Sequence, residues 1–341
     1  MKKHKLIFLL ILVSIFLLIT NCNSTEPPDD ELKPGRRDYN WTVDTLKPAE
    51  GRSIPSRMWG ADANDVWAVG LSYLNAYCIW HYDGKTWSNY TPDQYMDPRA
   101  IWGTSINNIW IGSTDGAFWH YDGVKWDKFS ETTIPNYQQF IVQSMCGRSA
   151  NEIYAIGFAD SSEGNSFKAI IMHFNGVKWE ITNIPSIKKS FKEIYYDKND
   201  DIFYISAWEF NSSIESIYSF DGQNLNLIYS TDKLISLSNI GQEIISIIDY
   251  SKIYKVKSGT IELIKDFSAT SFAGYCFGRN ELDIITANDD GIGHFNGNDL
   301  LTIYPKWNIE LNRIGSIIFE KDFYYIWEDS YKTFIVHGKL K

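Results

Sequence analysis

The chain alternates short apolar runs with compact polar clusters, and the alternation repeats. Met58-Trp59-Gly60 is followed by Asn64-Asp65 and Val66-Trp67-Ala68-Val69-Gly70. Ile101-Trp102-Gly103 is followed by Asn107-Asn108 and Ile109-Trp110-Ile111-Gly112, and Met145-Cys146-Gly147 by Asn151-Glu152 and Ile153-Tyr154-Ala155-Ile156-Gly157. Behind each stands a second signature: His81-Tyr82-Asp83-Gly84 with Trp87, His120-Tyr121-Asp122-Gly123 with Trp126, and His173-Phe174-Asn175-Gly176 with Trp179. An Asx-Gly pair between apolar runs signals a hairpin, because both residues tolerate positive φ. Asn64-Asp65 and its counterparts mark an earlier hairpin. Each unit therefore predicts four strands: a around Trp59, b over 66–70, c over 79–82 and d from Trp87. Strands b and c are apolar on both faces, as expected of sheets packed between two neighbours.

Later copies are degenerate but keep step: Phe220-Asp221-Gly222 with Leu225, His294-Phe295-Asn296-Gly297 with Leu300, and Ser258-Gly259 and His337-Gly338 in the remaining places. The turn glycines Gly84, Gly123, Gly176, Gly222, Gly259, Gly297 and Gly338 lie 39, 53, 46, 37, 38 and 41 residues apart. That period fits a blade of four short strands. Strand d is missing after His337, because the sequence given stops at Lys341, whereas Trp41-Thr42-Val43-Asp44-Thr45-Leu46 stands alone upstream and reads as a strand d. The expectation is an all-β, seven-bladed β-propeller over 40–341, four antiparallel strands per blade. Its last blade is closed by the N-terminal strand pairing near Phe334 to His337, which leaves no open edge at the join.

The run from Trp59 to Trp126 resembles propeller repeats of bacterial secreted lipoproteins. Asn108-Ile109-Trp110-Ile111-Gly112-Ser113-Thr114-Asp115-Gly116 is similar to the repeat of two-component-regulator propellers. Both resemblances imply a seven-bladed propeller and neither implies one activity. Ser113 to Trp119 has Ala117 where a sialidase Asp-box has Gly, and Asp83 to Trp87 lacks the longer turn of quinoprotein blades, so neither chemistry is assigned.

The N-terminus changes the picture by setting a compartment. Met1 to Lys5 is basic and Leu6 to Ile19 is an apolar run of 14 residues, the length of a signal-peptide core and short of the roughly 20 that span a membrane. Leu18-Ile19-Thr20-Asn21-Cys22 resembles a lipobox, which implies lipid attachment at Cys22 and an outer-membrane lipoprotein of the bacterial cell envelope. Residues 1–21 are then the signal peptide, and 22–39, polar and acidic with Pro27-Pro28 and Pro34-Gly35, a disordered tether. Without the leader, 29 Lys and Arg face 42 Asp and Glu, a net charge of −13. No basic footprint for nucleic acid is visible, and contact with membrane is expected through the lipid alone. Cys78, Cys146 and Cys276 are odd in number and have no CxxC spacing, so they read as small buried hydrophobes.

Candidate chemistry is sparse. His81, His120, His173 and His294 recur at one repeat position, so they lie in different blades and cannot converge on one ion; they read as structural. Asn288-Asp289-Asp290-Gly291 lacks the full alternating carboxylates of a calcium loop. No cofactor and no metal is expected. The a–b and c–d turns repeat around one face, whereas the b–c and d–a loops differ in every unit and carry both large insertions, 158–168 and 208–215. Loops on a rigid scaffold are where binding resides, so Tyr73, Tyr95, Tyr137, Phe158, Trp208, Trp307 and Trp327 are the candidate ligand contacts. The expected function is a monomeric, non-catalytic module binding protein or glycan through that face. Two alternatives stand beside it. One is a carbohydrate-active propeller enzyme (lyase or hydrolase) using carboxylates among Asp160, Glu163, Glu209 and Glu328. The other is an assembly factor of an envelope complex.

Overall fold

The computed structural model describes residues 33–48, 51–73, 78–92, 94–161, 167–305, 315–328 and 332–341. Strands and their turns make up this part of the protein, and no helix occurs among the described residues. After β1 (Tyr39–Leu46) the strands come in antiparallel fours. The first is β2 (Arg52–Asp62), β3 (Asp65–Tyr73), β4 (Ile79–Tyr82) and β5 (Trp87–Asn89). The second is β6 (Pro98–Ser105), β7 (Asn108–Ser113), β8 (Ala117–Tyr121) and β9 (Trp126–Glu131). There follow β10 (Gln139–Ser149), β11 (Glu152–Asp160), β12 (Phe167–Phe174) and β13 (Trp179–Ile181), then β14 (Ser190–Asp197), β15 (Ile202–Trp208), β16 (Glu215–Phe220) and β17 (Leu225–Thr231). Next come β18 (Ile235–Ile240), β19 (Glu243–Ile248), β20 (Lys252–Lys257) and β21 (Thr260–Asp266), joined by one parallel bridge, Ile240↔Gly278, to β22 (Phe272–Asn280), β23 (Asp283–Asn288), β24 (Gly291–Phe295) and β25 (Leu300–Pro305). The last are β26 (Ser316–Ile318), β27 (Asp322–Glu328) and β28 (Thr333–Leu340).

The innermost strands β2, β6, β10, β14, β18, β22 and β26 each touch the next, and β26 touches β2, so they close around an axis. This is a β-propeller. The closing contact is β1 on β28, antiparallel from Tyr39↔Leu340 to Leu46↔Thr333. Tyr39 and Leu46 are buried, Tyr39 edge-on to Phe323 with ring centroids 5.2 Å apart, and Trp41 lies 4.8 Å from the Tyr304 ring in the neighbouring sheet. Residues upstream of β1, inside the segment read as a tether, are fastened too. The Gly35 amide donates to the Leu282 carbonyl, and Arg37 reaches the His294 carbonyl and the Asp299 carboxylate.

The Asx-Gly turns form, but not as two-residue hairpins. Asp83 Oδ1 accepts the Lys85 and Thr86 amides, and Asp122 Oδ1 those of Val124 and Lys125. These backbone donors hold both carboxyls below their usual range. Only the glycine takes positive φ (85° at Gly84, 95° at Gly123), so the Asx carboxyl caps a four-residue connection. A different constraint fixes Gly70 and Gly157. Bulges in β2 and β10 bring backbone so close that a Cβ would sit 2.1 Å from the Ile54 carbonyl oxygen and 1.9 Å from that of Ile141.

Three of the repeated histidines stack on the aromatic opposite them in strand b, His81 on Trp67 at 4.1 Å, His173 on Tyr154 at 4.6 Å and His337 on Tyr324 at 4.3 Å; His120 is tilted against Trp110 at 4.5 Å, and His294, opposite Ile285, lies edge-on to Tyr39 at 6.4 Å. The first residue of strand b often holds the ring as well, Asn108 to His120 Nε2 at 2.8 Å and Asp283 to His294 Nε2 at 2.9 Å. These are packing devices, one in each of five units.

Burial lowers the pKa of His120 and of His173, whose neighbour Glu152 is held by Arg148. A histidine depressed in the folded state contributes stability that is present above its unfolded pKa, about 6.5, and is lost as pH falls through the folded value. Thermal unfolding followed from about pH 7.5 down to 5 is therefore expected to show a falling Tm below about 6.5. His120→Gln should flatten part of that slope; an unchanged slope would contradict the assignment.

Candidate functional site

Strands a run from the d–a loops toward the a–b turns, so their first residues ring the end of the axis where the variable loops gather. Five of them are bulged there. The register skips one residue at Ser56 in β2, Arg99 in β6, Gln143 in β10 and Lys192 in β14, and breaks over 273–275 in β22. A bulge bends its strand and re-aims the neighbouring side chain. Here the result is a cavity of about 540 Å³ at the mouth of the axis, into which β2 sends Arg57, β10 Gln143 and β14 Lys192 and Glu193.

Aromatic rings form one wall. Phe158 packs edge-on to Phe167 at 5.1 Å, Phe167 to Phe210 at 4.6 Å, and Trp208 to Phe210 at 5.5 Å, a ladder that spans the β10–β13 and β14–β17 sheets. Leu234, Ile235, Ile247 and Tyr250 line the other side. Asp249 and Tyr250 take φ of 55° and 56° in the tight β19–β20 turn, and Tyr250 folds over Gly274, where a Cβ would lie 2.4 Å from its ring. Positive φ at a bulky residue costs of order 1–3 kcal/mol and gathers at functional sites.

The polar floor is mostly committed. Lys192 Nζ donates to buried Glu215 at 2.7 Å and to the Ile235 carbonyl at 2.8 Å; burial raises the Glu215 carboxyl while Lys192 opposes the rise. Glu193 Oε2 accepts Ser206 Oγ at 2.9 Å and the Leu237 amide at 2.7 Å. Arg57 is different. Its guanidinium donates to the carbonyl of its own neighbour, Ser56, at 3.2 Å, and it has no ion pair among the described residues. Below the mouth a second cavity of about 530 Å³ follows the axis, lined by Trp59, Trp102, Tyr195 and Tyr275 among others. Burial pushes the Tyr275 phenol up to about 12, and its hydroxyl bonds Ser316 Oγ at 2.9 Å. Arg57 and Glu193 line both cavities and so form the neck between them.

Of the residues singled out from sequence, Phe158 and Trp208 line the mouth. Tyr95 is 71% exposed on the β5–β6 loop and takes no part in it. Tyr137 packs against the core between the β6–β9 and β10–β13 sheets. Trp327 is a correction: at 2% exposure it lies inside the stack between the β22–β25 sheet and the closing sheet, beside Tyr304 and Tyr325, because β27 continues to Glu328 where a loop was expected. Cys22, Glu163 and Trp307 fall outside the described residues, as does the Tyr73 side chain, though its backbone ends β3 opposite Arg52. Among the proposed carboxylates, Glu328 pairs with Arg52, Glu209 lies 3.7 Å from Lys189, and Asp160 ends β11; none of the three lines the mouth. Sequence reasoning missed Arg57, Lys192, Glu193, Phe167, Phe210 and Tyr250. The two phenylalanines lie within the insertions already noted, 158–168 and 208–215; the charged residues depend on bulges that leave no mark in the hydrophobic pattern.

No family model matches the sequence, and no curated protein is significantly similar to it. Solved structures share its fold. YCF48 bound to a D1 peptide superposes with a TM-score of 0.61 at 14% identity, covering 91% of this chain and 100% of that one. The β-propeller domain of Cps50 (Swd1) from Myceliophteria thermophila gives 0.57 at 9% identity, covering 86% and 98%. BBS1N in complex with ARL6DN gives 0.59 at 11% identity, covering 91% and 98%. At such identities the likeness is one of fold.

Proposed function

We propose that this protein is a seven-bladed propeller of the bacterial lipoprotein type that binds a protein segment at the mouth between its b–c and d–a loops. The observation that carries the reading is the mouth cavity itself. Its size is that of an ordinary ligand site, a few residues of extended peptide, and its aromatic ladder supplies large rigid contact area at low entropic cost. Propellers of similar fold have been captured with a peptide (YCF48 with D1) and with a protein (BBS1N with ARL6DN), which supports a protein partner over a glycan. Crosslinked capture of the full-length protein from envelope extracts tests it. Trp208→Ala is expected to reduce recovery of the specific partner at least about tenfold with little change in Tm, since Trp208 is only part-buried at the rim. Tyr95→Ala, exposed and away from the cavity, should change neither. Equal recovery with both variants would place binding elsewhere.

Anchorage at the outer membrane through lipid on Cys22 is the second part of the proposal and rests on the leader alone. Metabolic labelling with palmitate should mark the wild-type protein and spare Cys22→Ser, which should leave the membrane fraction. Label retained on the Cys22→Ser protein rules the lipobox out.

A further inference from the structure

We infer that Arg57, in the neck beneath the mouth, receives a carboxylate from the bound segment, so that an apolar stretch seated against the aromatic ladder must end in, or carry, one negative charge at its deepest point. This deepens the proposed binding reading and rests on it. Arg57 follows the bulged residue Ser56 and is thereby turned toward the axis, where it lines both cavities. The other charges at that level are satisfied: Lys192 holds Glu215, and Glu193 Oε2 takes a hydroxyl and an amide proton. Arg57, which lines both cavities, has one bond to a backbone carbonyl, which leaves most of its five donors without a partner among the described residues. A half-buried guanidinium without a counter-ion is best completed by a group matching its fork, and carboxylate does so with two parallel bonds.

The net charge around the neck sets the class more narrowly. Arg57 is the one uncommitted cation lining the mouth among the described residues, and the Glu193 carboxylate stands in the same neck. A carboxylate brings one charge to Arg57 and matches its fork; a phosphate dianion would meet twice the repulsion from Glu193 and find no second free cation. The walls above are apolar, Phe158, Phe167 and Trp208 on one side and Ile247 and Tyr250 on the other. The order from rim to neck is therefore apolar, then anionic, with the cavity deep enough for a few residues.

The carboxylate has two possible sources, the C-terminus of a peptide or an acidic residue within it, and three short probes separate them: N-acetyl-Leu-Phe with a free carboxylate, its C-terminal amide, and N-acetyl-Leu-Glu-amide. Binding is read by NMR titration of the 15N-labelled full-length protein, following the Nε–Hε resonance that disappears in Arg57→Gln. The free acid is expected to shift that resonance and to bind at least about tenfold more tightly than the amide. Arg57→Gln should abolish the difference, and Arg57→Lys, which keeps charge but not the fork, should restore only part of it. If the glutamyl amide matches the free acid, the carboxylate is that of an acidic residue; if it matches the plain amide, it is a C-terminus. Equal affinity of free acid and amide, or a preference that survives Arg57→Gln in a variant with unchanged Tm, overturns the inference. Should all probes bind equally and lose affinity in Trp208→Ala, the mouth still binds apolar peptide and only the carboxylate falls. Absence of binding by every probe overturns both.

Discussion

A fragment starting at residue 47 is expected not to form a stable ring, whereas one starting at residue 34 folds. The first lacks β1, whose eight residues pair in unbroken register with β28. Each ladder hydrogen bond contributes about 1 kcal/mol net, and each large buried side chain about 1.5–3 kcal/mol. Tyr39 and Leu46 are such residues, and Trp41 covers Phe323 and Tyr304. Together these approach the roughly 5–15 kcal/mol that holds a typical domain. The loss also exposes the apolar β28 edge, with Ile335 and Val336 now buried, as a template for pairing with other molecules. Size-exclusion chromatography of the two fragments should show a monomer for 34–341 and aggregate for 47–341. Monomeric 47–341 melting within a few degrees of the longer fragment would refute closure by β1.

Trp327→Ala is the single substitution with the largest expected cost, about 3–5 kcal/mol, the range for a large aromatic lost from a core. Its indole is surrounded by Phe277, Ile285, Ala287 and Val336, two sheets meeting across one ring. The neighbours belong to rigid strands on both sides, so the void cannot close cheaply. Trp327→Phe, which keeps a ring in place, should cost less than half as much. Urea unfolding midpoints decide it. A Trp327→Ala protein as stable as wild type, yet defective in partner capture, would return this residue to the binding surface.

The two tryptophans show what the sequence could and could not reveal. Turn residues were legible because Asx-Gly has one dominant use, and the pairing of Trp41–Leu46 with the last strands followed from counting strand d. Which tryptophan faces out was not legible. Trp208 is the last residue of β15 and Trp327 the last but one of β27, strands of equal length, so a single step along the strand decides which ring is rim and which is core. β27 runs on to Glu328, which pairs with Arg52 of the adjacent sheet, and so carries Trp327 inward. The bulges were hidden for a related reason. An inserted residue such as Ser56 or Lys192 shifts the two-residue alternation by one, but strands a mix apolar and polar residues on both sides, so no parity is visibly broken along the sequence. Nothing in the repeat pattern therefore singles out Arg57 or Glu193. The β18–β21 unit had lost its His and its Asx-Gly turn, and with them any hint that Tyr250 stands at the mouth.

Closure by β1 also has a consequence in time. β1 emerges long before its partner β28, and the pairing between Tyr39 and Leu340 is among the most distant in sequence among the described residues. Every intervening sheet can form from local meanders, hairpin by hairpin, but the ring stays open until β28 is available. Until then Tyr39, Trp41 and Leu46 have no partner strand to bury them, and a non-local pairing of this kind is the slow sort of step in folding. Slow annealing of a long-range pair is also when an unfinished molecule is most prone to associate with another. The seam is thus where an unfinished ring is most open to a wrong partner, although the same eight residues pair in unbroken register once the ring has closed.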